Sequence, residues 1–418
     1  MKVKNKKALK ITLISLGAVL CLALIYAITL FIMYKSVGDT GLPRLDIDTN
    51  GRGILSNTKY TTCTISLSGA DEEFNFEDAS AGIRQRGNTS RRFYPKEPYR
   101  IKFDSKTSVF GEAKNKSWVL LALYNDFSLS RDRLAFSVAE RVMEGDFVPC
   151  HYYVDVYING FYKGVYLLTD QVNENKGRLD IKEDITADDV EIPFLVELDD
   201  YASEEGEEGV DWFTLNGRYF AIKYPEAEER PSEAQFAYIK NYIETVDSLV
   251  RKPNVTLSEL SEYIDVESFI NYYIVQEAMG QMEINWKSIY MSKSLGGKLK
   301  MGPVWDFDWS TTGPSLGKMK DFYKDNATGL RSADNWFALL LNNSSEFKAA
   351  VCARFDEVKP DILDAISEVE SQKDSLYAAA RKNHRRWYWF SFKVYYDESF
   401  DETIQWCKDR LEWLDTIF

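Results

Sequence analysis

The chain has 418 residues, of which 51 are lysine or arginine and 65 are aspartate or glutamate, so its net charge is −14. The first 35 positions hold six lysines and no acid, which leaves the rest of the chain with a net charge of −20. Such an acidic body excludes nucleic-acid binding through a general electrostatic field. Its length suits one large domain or two lobes.

The N-terminal segment predicts a membrane anchor. Residues 11–33 are almost entirely apolar and carry no charge, and about 20 such residues span a bilayer. A cleavable signal peptide has a shorter apolar core of about 7–15 residues, and a long signal peptide cut near Ala27 is the alternative. The positive-inside rule predicts a cytoplasmic tail at 1–10, a transmembrane helix at 11–34, a linker at 35–43 and an extracytoplasmic domain at 44–418 of a single-pass cell-membrane protein.

The first half of this domain has the pattern of β-strands. Cys63, Ile65 and Leu67 alternate with polar residues. A hairpin is predicted over Val154 to Leu168, because Asn159-Gly160 supplies a two-residue turn in which both residues take positive φ. Further strands are predicted at Leu45 to Ile47, Ile101 to Phe103, Trp118 to Leu123 and Phe194 to Leu198.

After about residue 230 the pattern becomes helical. Ser232 and Gln235 predict a capping box at the start of one helix, and Ser399 and Glu402 predict the cap of the last one. Apolar residues then recur at helical spacing, as in Ile239, Ile243, Val246 and Val250, and in Phe347, Val351, Phe355 and Val358. A β-rich N-terminal half and a helical C-terminal half predict an α+β chain.

Two carboxylates stand close together late in the chain. Asp306 and Asp308 are flanked by Trp305, Phe307 and Trp309, and in a strand residues two apart point to the same face. Burying both would be costly unless something neutralises them. Mg²⁺ does this well because it takes oxygen ligands. The pair therefore indicates a magnesium site and phosphate chemistry, with an acidic loop beside a core tryptophan as the alternative.

Several segments along the chain form an ordered set of motifs. They include Gly302 to Asp308, the Arg-Gly-Asn loop in Ile83 to Ser90, the basic strand Tyr99 to Asp104, Asn125-Asp126 with Arg131, Ile158 to Leu168, Asn383 to Trp387 and Arg410 to Leu414. Together these segments resemble the CotH kinase-like family, the spore coat protein H family. The resemblance spans roughly residues 42–418 in order, and implies an atypical protein-kinase-like fold with two lobes.

This resemblance implies a nucleotide site. Phosphoryl transfer needs neutralised phosphate, a bound metal and a carboxylate that receives the hydroxyl proton. By resemblance, ATP phosphates would be held by Arg86, Gly87, Asn88 and Lys102, and Mg²⁺ by Asp306 with Asp308 as a second ligand. As bare patterns, the Arg-Gly-Asn turn and Lys102 are also typical of a surface turn and an exposed strand.

The expected catalytic base departs from the family pattern. Where the family has Asn-x-Asp, this chain has Gln281 and Glu283. Glu283 is still a carboxylate that can accept a proton, but its extra methylene moves the oxygens, and a misplacement of about 1 Å can cost on the order of 100-fold in rate. Ser288 stands where an ordinary kinase has a metal-binding asparagine.

Two functions from different classes follow. The first is a membrane-anchored kinase that transfers phosphoryl groups from ATP to hydroxyls of secreted or surface proteins, as in a spore coat. The second is a catalytically impaired pseudokinase that acts as a surface or coat-assembly scaffold for protein or glycan partners. Paired carboxylates would also suit a sugar hydrolase, but nothing in the sequence fixes their separation.

Two further features are left open by the sequence. Cys63, Cys150, Cys352 and Cys407 could pair in three ways, and free buried thiols are an equal expectation for the last two. The aromatic run from Trp387 to Phe390 predicts core packing of the last helices, with a partner-binding patch as the alternative.

Overall fold

In the computed structural model of the protein, the described residues are 15–26, 28, 40–186, 188–203, 211–226, 231–285, 287–316, 334–388 and 395–418. Residues 15–26 form helix α1. Across the described ranges, we find no helix with the length and apolar character that crossing a membrane requires. The predicted basic tail 1–10 and both ends of the predicted span lie outside the described residues, so the membrane anchor stays a prediction.

Seven strands of the N-terminal half close into a barrel. In chain order they are β1 (Arg44–Asp48), β2 (Thr61–Ser68), β3 (Phe76–Gln85), β4 (Tyr99–Thr107), β5 (Asn115–Leu121), β6 (Tyr152–Ile158) and β7 (Phe161–Asp170). Around the barrel the order is β1-β2-β3-β4-β5-β7-β6, and β1 closes it by parallel pairing with β6. The predicted alternation is confirmed, because Cys63, Ile65 and Leu67 all point into the barrel core.

The predicted hairpin joins β6 to β7. Asn159 and Gly160 have φ values of 51° and 76°, as a turn of two positive-φ residues requires. The strands that were predicted differ from the observed ones at their ends, as β5 ends at Leu121 rather than Leu123, and β3 was not predicted.

A second sheet lies beyond the barrel. Its strands are β8 (Phe194–Leu198), β9 (Trp212–Leu215), β10 (Arg218–Tyr224), β11 (Ile289–Lys293) and β12 (Lys300–Met301). The spatial order β12-β11-β8-β10-β9 brings strands from both halves of the chain into one sheet. Its central strand β8 is buried, as its apolar run predicted.

Helices dominate the C-terminal half and confirm the α+β prediction. They are α2 (Thr89–Phe93), α3 (Arg131–Val142), α4 (Glu233–Val250), α5 (Leu257–Leu260), α6 (Val266–Ala278), α7 (Trp336–Asn343), α8 (Ser345–Ser371), α9 (Lys373–Trp387) and α10 (Tyr396–Leu414), with 3₁₀ turns at Glu72–Phe74 and Met282–Asn285. The main core forms where α3, α6 and α8 pack together and meet the outer faces of β5 and β7.

One predicted capping box is confirmed and the other is wrong. The Ser232 side chain accepts from Gln235 N, and the Gln235 side chain accepts from Ser232 N. The last helix begins at Tyr396, so Ser399 lies inside it, where its amide donates to Tyr395 O at 3.1 Å. Asp397 and Glu398 in the first turn suit the helix dipole there.

The open questions on cysteines and aromatic residues receive partial answers. Cys63, Cys150, Cys352 and Cys407 are free thiols in the structure. Tyr388 is buried and the Trp387 indole donates to Lys163 O at 2.7 Å, which supports core packing for these two. The rest of the aromatic run, 389–390, lies outside the described residues.

Helix α9 docks on the barrel at Gly164. Asn383 Oδ1 accepts from Val165 N at 3.2 Å and from the buried Lys96 Nζ at 2.9 Å. Gly164 has a φ of +118°, and a Cβ there would lie 2.5 Å from Asn383 Oδ1 and 2.8 Å from Trp387 Nε1. The glycine is therefore needed for both its backbone conformation and the close approach of α9.

We expect Gly164→Ala to lower the free energy of unfolding by roughly 2–4 kcal/mol, because overpacking adds to backbone strain. The matched control is Gly160→Ala in the same hairpin, which has φ +76° but open space around the added Cβ. Backbone strain alone should lower the free energy of unfolding of this control variant by about 1–2 kcal/mol. Urea unfolding followed by tryptophan fluorescence checks both variants, and equal losses would contradict the docking role.

Candidate active site

A cleft of about 380 Å³ opens between one end of the barrel and the second sheet. Arginines from the barrel line one side, and carboxylates from the C-terminal half line the other. The basic group includes Arg84, Arg86, Arg91, Arg92 and Arg100, and the acidic group includes Glu283, Asp306 and Asp308. Such a division suits a ligand that carries both negative phosphates and a cation.

The two predicted metal ligands both line the cleft, although the segment that carries them is not a strand. Asp306 has a φ of +65°, which is uncommon for a residue with a side chain. Its carbonyl oxygen accepts from Gln281 Nε2 at 2.5 Å, and its Oδ2 accepts from Ser288 Oγ at 3.1 Å. Ser288 therefore holds the side chain of Asp306, the predicted metal ligand.

Helix α3 fixes the same segment from the other side. Asp132 Oδ1 accepts from Phe307 N at 2.9 Å, and Arg131 donates to Asp308 O at 2.7 Å. Burial, and then the charges of Asp308 and Asp306, raise the pKa of Asp132 well above its usual value. Asp132 was not predicted from the sequence, because its partner lies 175 positions away along the chain.

The Asn125-Asp126 motif holds the loops around this segment. Asn125 Oδ1 accepts from Leu316 N at 2.7 Å, and Asp126 Oδ2 accepts from Arg131 N at 3.0 Å. These side chains therefore anchor the chain that follows the aspartates and the start of α3. Neither lines the cleft among the described residues.

The predicted base, Glu283, lies in the 3₁₀ turn on the cleft wall and is only 5% exposed. Its Oε1 is 2.6 Å from Lys287 Nζ, whereas its buried Oε2 has no hydrogen-bond partner. Burial raises the pKa of Glu283 to about 8, Asp306 adds to the rise, and Lys287 opposes it. Burial acts to lower the pKa of Lys287, but Glu283 and Asp306 outweigh it and raise that pKa.

Gln281 links Glu283, the predicted base, to the segment that carries Asp306. Besides donating to Asp306 O, its side-chain oxygen accepts from Glu283 N at 3.2 Å. One buried amide therefore joins the backbone of Glu283 to the backbone of Asp306. This contact gives a physical role to the glutamine that stands in place of the family's asparagine.

The arrangement fits a magnesium ion. Burial raises the pKa of Asp308 to about 7, with Asp306 as the next contributor, so the ionised form is disfavoured here and a bound cation would stabilise it. In the described part of the chain, no group of three His, Cys, Asp or Glu side chains is placed to hold a metal. Mg²⁺ is commonly held by one or two carboxylates together with substrate phosphates and water, which is what Asp306 and Asp308 offer.

Three predicted phosphate-binding residues meet at the cleft. Arg86, Gly87 and Asn88 all line it. The turn is fixed by Arg86 N, which donates to Pro98 O at 3.1 Å, and Gly87 has a φ of +76°. Asn88 precedes the short helix α2 and makes no side-chain capping bond.

The fourth, Lys102, is placed elsewhere. It is exposed and pairs with Gly82, two residue positions along the β3–β4 ladder from the Arg84–Arg100 pair. Lys102 and Arg100 are therefore about 7 Å apart along β4. The described residues that line the cleft include Arg100 and not Lys102. The role of Lys102 stays a prediction, and Arg100 is the basic residue of β4 that the sequence analysis did not single out.

Comparison with known proteins agrees with the recognised motifs. No curated protein matches the chain. A family model described as CotH kinase protein matches residues 83–414, from the arginine-bearing end of β3 to the last turn of α10. The matched region includes the residues of both walls of the cleft described above. The chain therefore belongs to the CotH kinase family.

Proposed function

We propose that the protein is a kinase that transfers a phosphoryl group from ATP to hydroxyls of secreted or surface proteins, such as those of a spore coat. The observation that carries this proposal is the cleft itself, where Arg86, Gly87 and Asn88 face Glu283, Asp306 and Asp308. Family membership supports kinase-like chemistry. The atypical kinase-like fold and the membrane anchor belong to the same proposal.

Each residue has a defined task in this scheme. Arg86 donates bidentate hydrogen bonds to phosphate oxygens, and Gly87 lets the backbone approach them closely. Asp306 and Asp308 would hold Mg²⁺, which supplies neutralising charge for the phosphates when bound. Glu283 accepts the proton of the attacking hydroxyl, and Lys287 favours the charged form of Glu283 that this task needs.

A specific observation supports the second candidate, a pseudokinase scaffold. Because the pKa of Glu283 is raised to about 8, most of this carboxyl is protonated at neutral pH in the absence of ligands. A protonated acid cannot take up the hydroxyl proton. In this alternative the protein keeps the fold and binds protein or glycan partners without efficient transfer.

Label transfer separates the two candidates. The full-length protein in detergent is incubated with Mg²⁺, ATP labelled at the γ-phosphate and extracts of secreted and surface proteins. We expect label in protein that depends on Mg²⁺. Glu283→Asp restores the family's residue, and it should transfer at least as well as the wild type. If the wild type transfers no label and Glu283→Asp does not restore transfer, the kinase proposal fails and the scaffold is favoured.

A further inference from the structure

Arg86 reaches across the cleft to the segment that carries the aspartates. Its guanidinium carbon lies 5.3 Å from the ring centroid of Trp305, the residue directly before Asp306. The Arg86 backbone belongs to the barrel loop. This contact therefore joins the phosphate side of the cleft to the metal side.

The Trp305 ring is well fixed. It is 3% exposed and packs against Phe136 of α3, with ring centroids 6.2 Å apart. The backbone that follows is held by two side chains: Gln281 donates to Asp306 O, and Asp132 accepts from Phe307 N. A cation above this ring is consequently held at a set place relative to Asp306.

Other arginines of the cleft are held differently. Arg84 donates to Asn57 O and lies 5.3 Å from the Tyr60 ring centroid. Arg91 donates to Gly87 O at 3.2 Å. Both contacts lie within the barrel half, so these two side chains do not report on the position of the aspartates.

We propose that Trp305 is a positioning residue that holds Arg86 beside Asp306, so that the phosphates and the metal of one nucleotide bind as a unit. This inference rests on the proposed function, since it concerns the same nucleotide. The proposal adds a link between the two walls of the cleft. The Trp305 ring orders the long Arg86 side chain before the ligand binds, which reduces the conformational entropy lost on binding.

The test is a double-mutant cycle on the full-length protein. Calorimetry measures the affinity for Mg²⁺–ATP in the wild type, Arg86→Gln, Trp305→Leu and the double variant. A cation over an indole ring predicts a loss of about 3- to 30-fold for Trp305→Leu. Because the tryptophan acts through the arginine, the double variant should bind no more weakly than Arg86→Gln alone.

Three controls distinguish positioning from general damage. Mn²⁺ binding without nucleotide, measured by electron paramagnetic resonance, should stay within about twofold in Trp305→Leu, because Asp306 and Asp308 remain. Trp305→Phe keeps a weaker aromatic face and should lose less affinity for Mg²⁺–ATP than Trp305→Leu. It replaces the leucine variant in the cycle if that variant does not fold. Arg44→Gln removes an arginine that lies over Tyr157, outside the cleft lining, and should not change affinity.

The outcomes separate the two proposals. If the wild type binds Mg²⁺–ATP and Arg86→Gln weakens binding, but Trp305→Leu and Trp305→Phe do not, the positioning role is wrong and the proposed function stands. If the losses of affinity from Arg86→Gln and Trp305→Leu are fully additive in the double variant, the positioning role of Trp305 is also wrong. If the wild type binds no Mg²⁺–ATP, the proposed function and this inference both fail.

Discussion

Replacing Glu283 by glutamine is expected to lower phosphoryl transfer by roughly 10²–10⁴-fold, the contribution typical of a general base. Glutamine has nearly the same shape and cannot take up a proton. Mg²⁺–ATP affinity should change by less than about tenfold, because the phosphates and the metal are held by other residues. Steady-state kinetics of label transfer, with calorimetric binding beside it, measure both quantities.

The pH dependence follows from the same carboxyl. For the free enzyme, kcat/KM should rise with pH and level off above about 8, because only the deprotonated Glu283 accepts a proton. In the complex with magnesium nucleotide the rise in kcat should occur at lower pH, if Mg²⁺ bound to Asp306 and Asp308 offsets the negative charges that raise the pKa of Glu283. A Glu283→Gln variant with unchanged transfer would remove Glu283 from the mechanism.

The pH dependence of stability has the opposite direction to the pH dependence of activity. The pKa of Glu283 is about 8 in the folded protein and 4.5 is its ordinary value, so between these pH values the native state binds more protons than the unfolded chain. Stability attributable to this group is therefore present at low pH and is lost as pH rises toward 8. Glu283→Gln should remove that part of the pH dependence, which thermal unfolding at pH 5 and pH 8.5 would show.

Local patterns were enough to predict much of the fold. The Asn159-Gly160 hairpin and the Ser232 capping box were predicted correctly, because each depends on residues a few positions apart. The wrong start of the last helix has a local cause as well. Ser399 and Glu402 match a capping box in letters, but the Asp397-Glu398 turn before them is already helical.

The site was only partly predictable, because its supports lie far apart in sequence. Local motifs indicated Asp306, and its neighbours in space include Gln281, which lies 25 positions away. The separation of Asp132 from Phe307 is larger still. Lys102 was predicted by resemblance, and its distance from the cleft depends on the register between β3 and β4, which the sequence does not show.

A second large effect is expected from Asp306→Ala, which should weaken the Mg²⁺-dependent binding of ATP. The substitution removes a carboxylate of the proposed magnesium site and the acceptor of the Ser288 hydroxyl. It leaves the backbone contact with Gln281, which involves the Asp306 carbonyl oxygen. Alanine at a φ of +65° is strained, so Asp306→Asn, which tolerates this conformation better, is the matched variant. We expect both to weaken Mg²⁺-dependent ATP binding by at least about 100-fold.

We propose that the cleft is a magnesium-dependent nucleotide site, and calorimetric titration of the full-length protein with ATP tests this claim. The titration is made with and without Mg²⁺ for the wild type, Asp306→Ala and Asp306→Asn. We predict binding by the wild type that requires Mg²⁺ and is lost in both variants. A wild type that binds no ATP, or variants that bind it as tightly as the wild type, would contradict the claim.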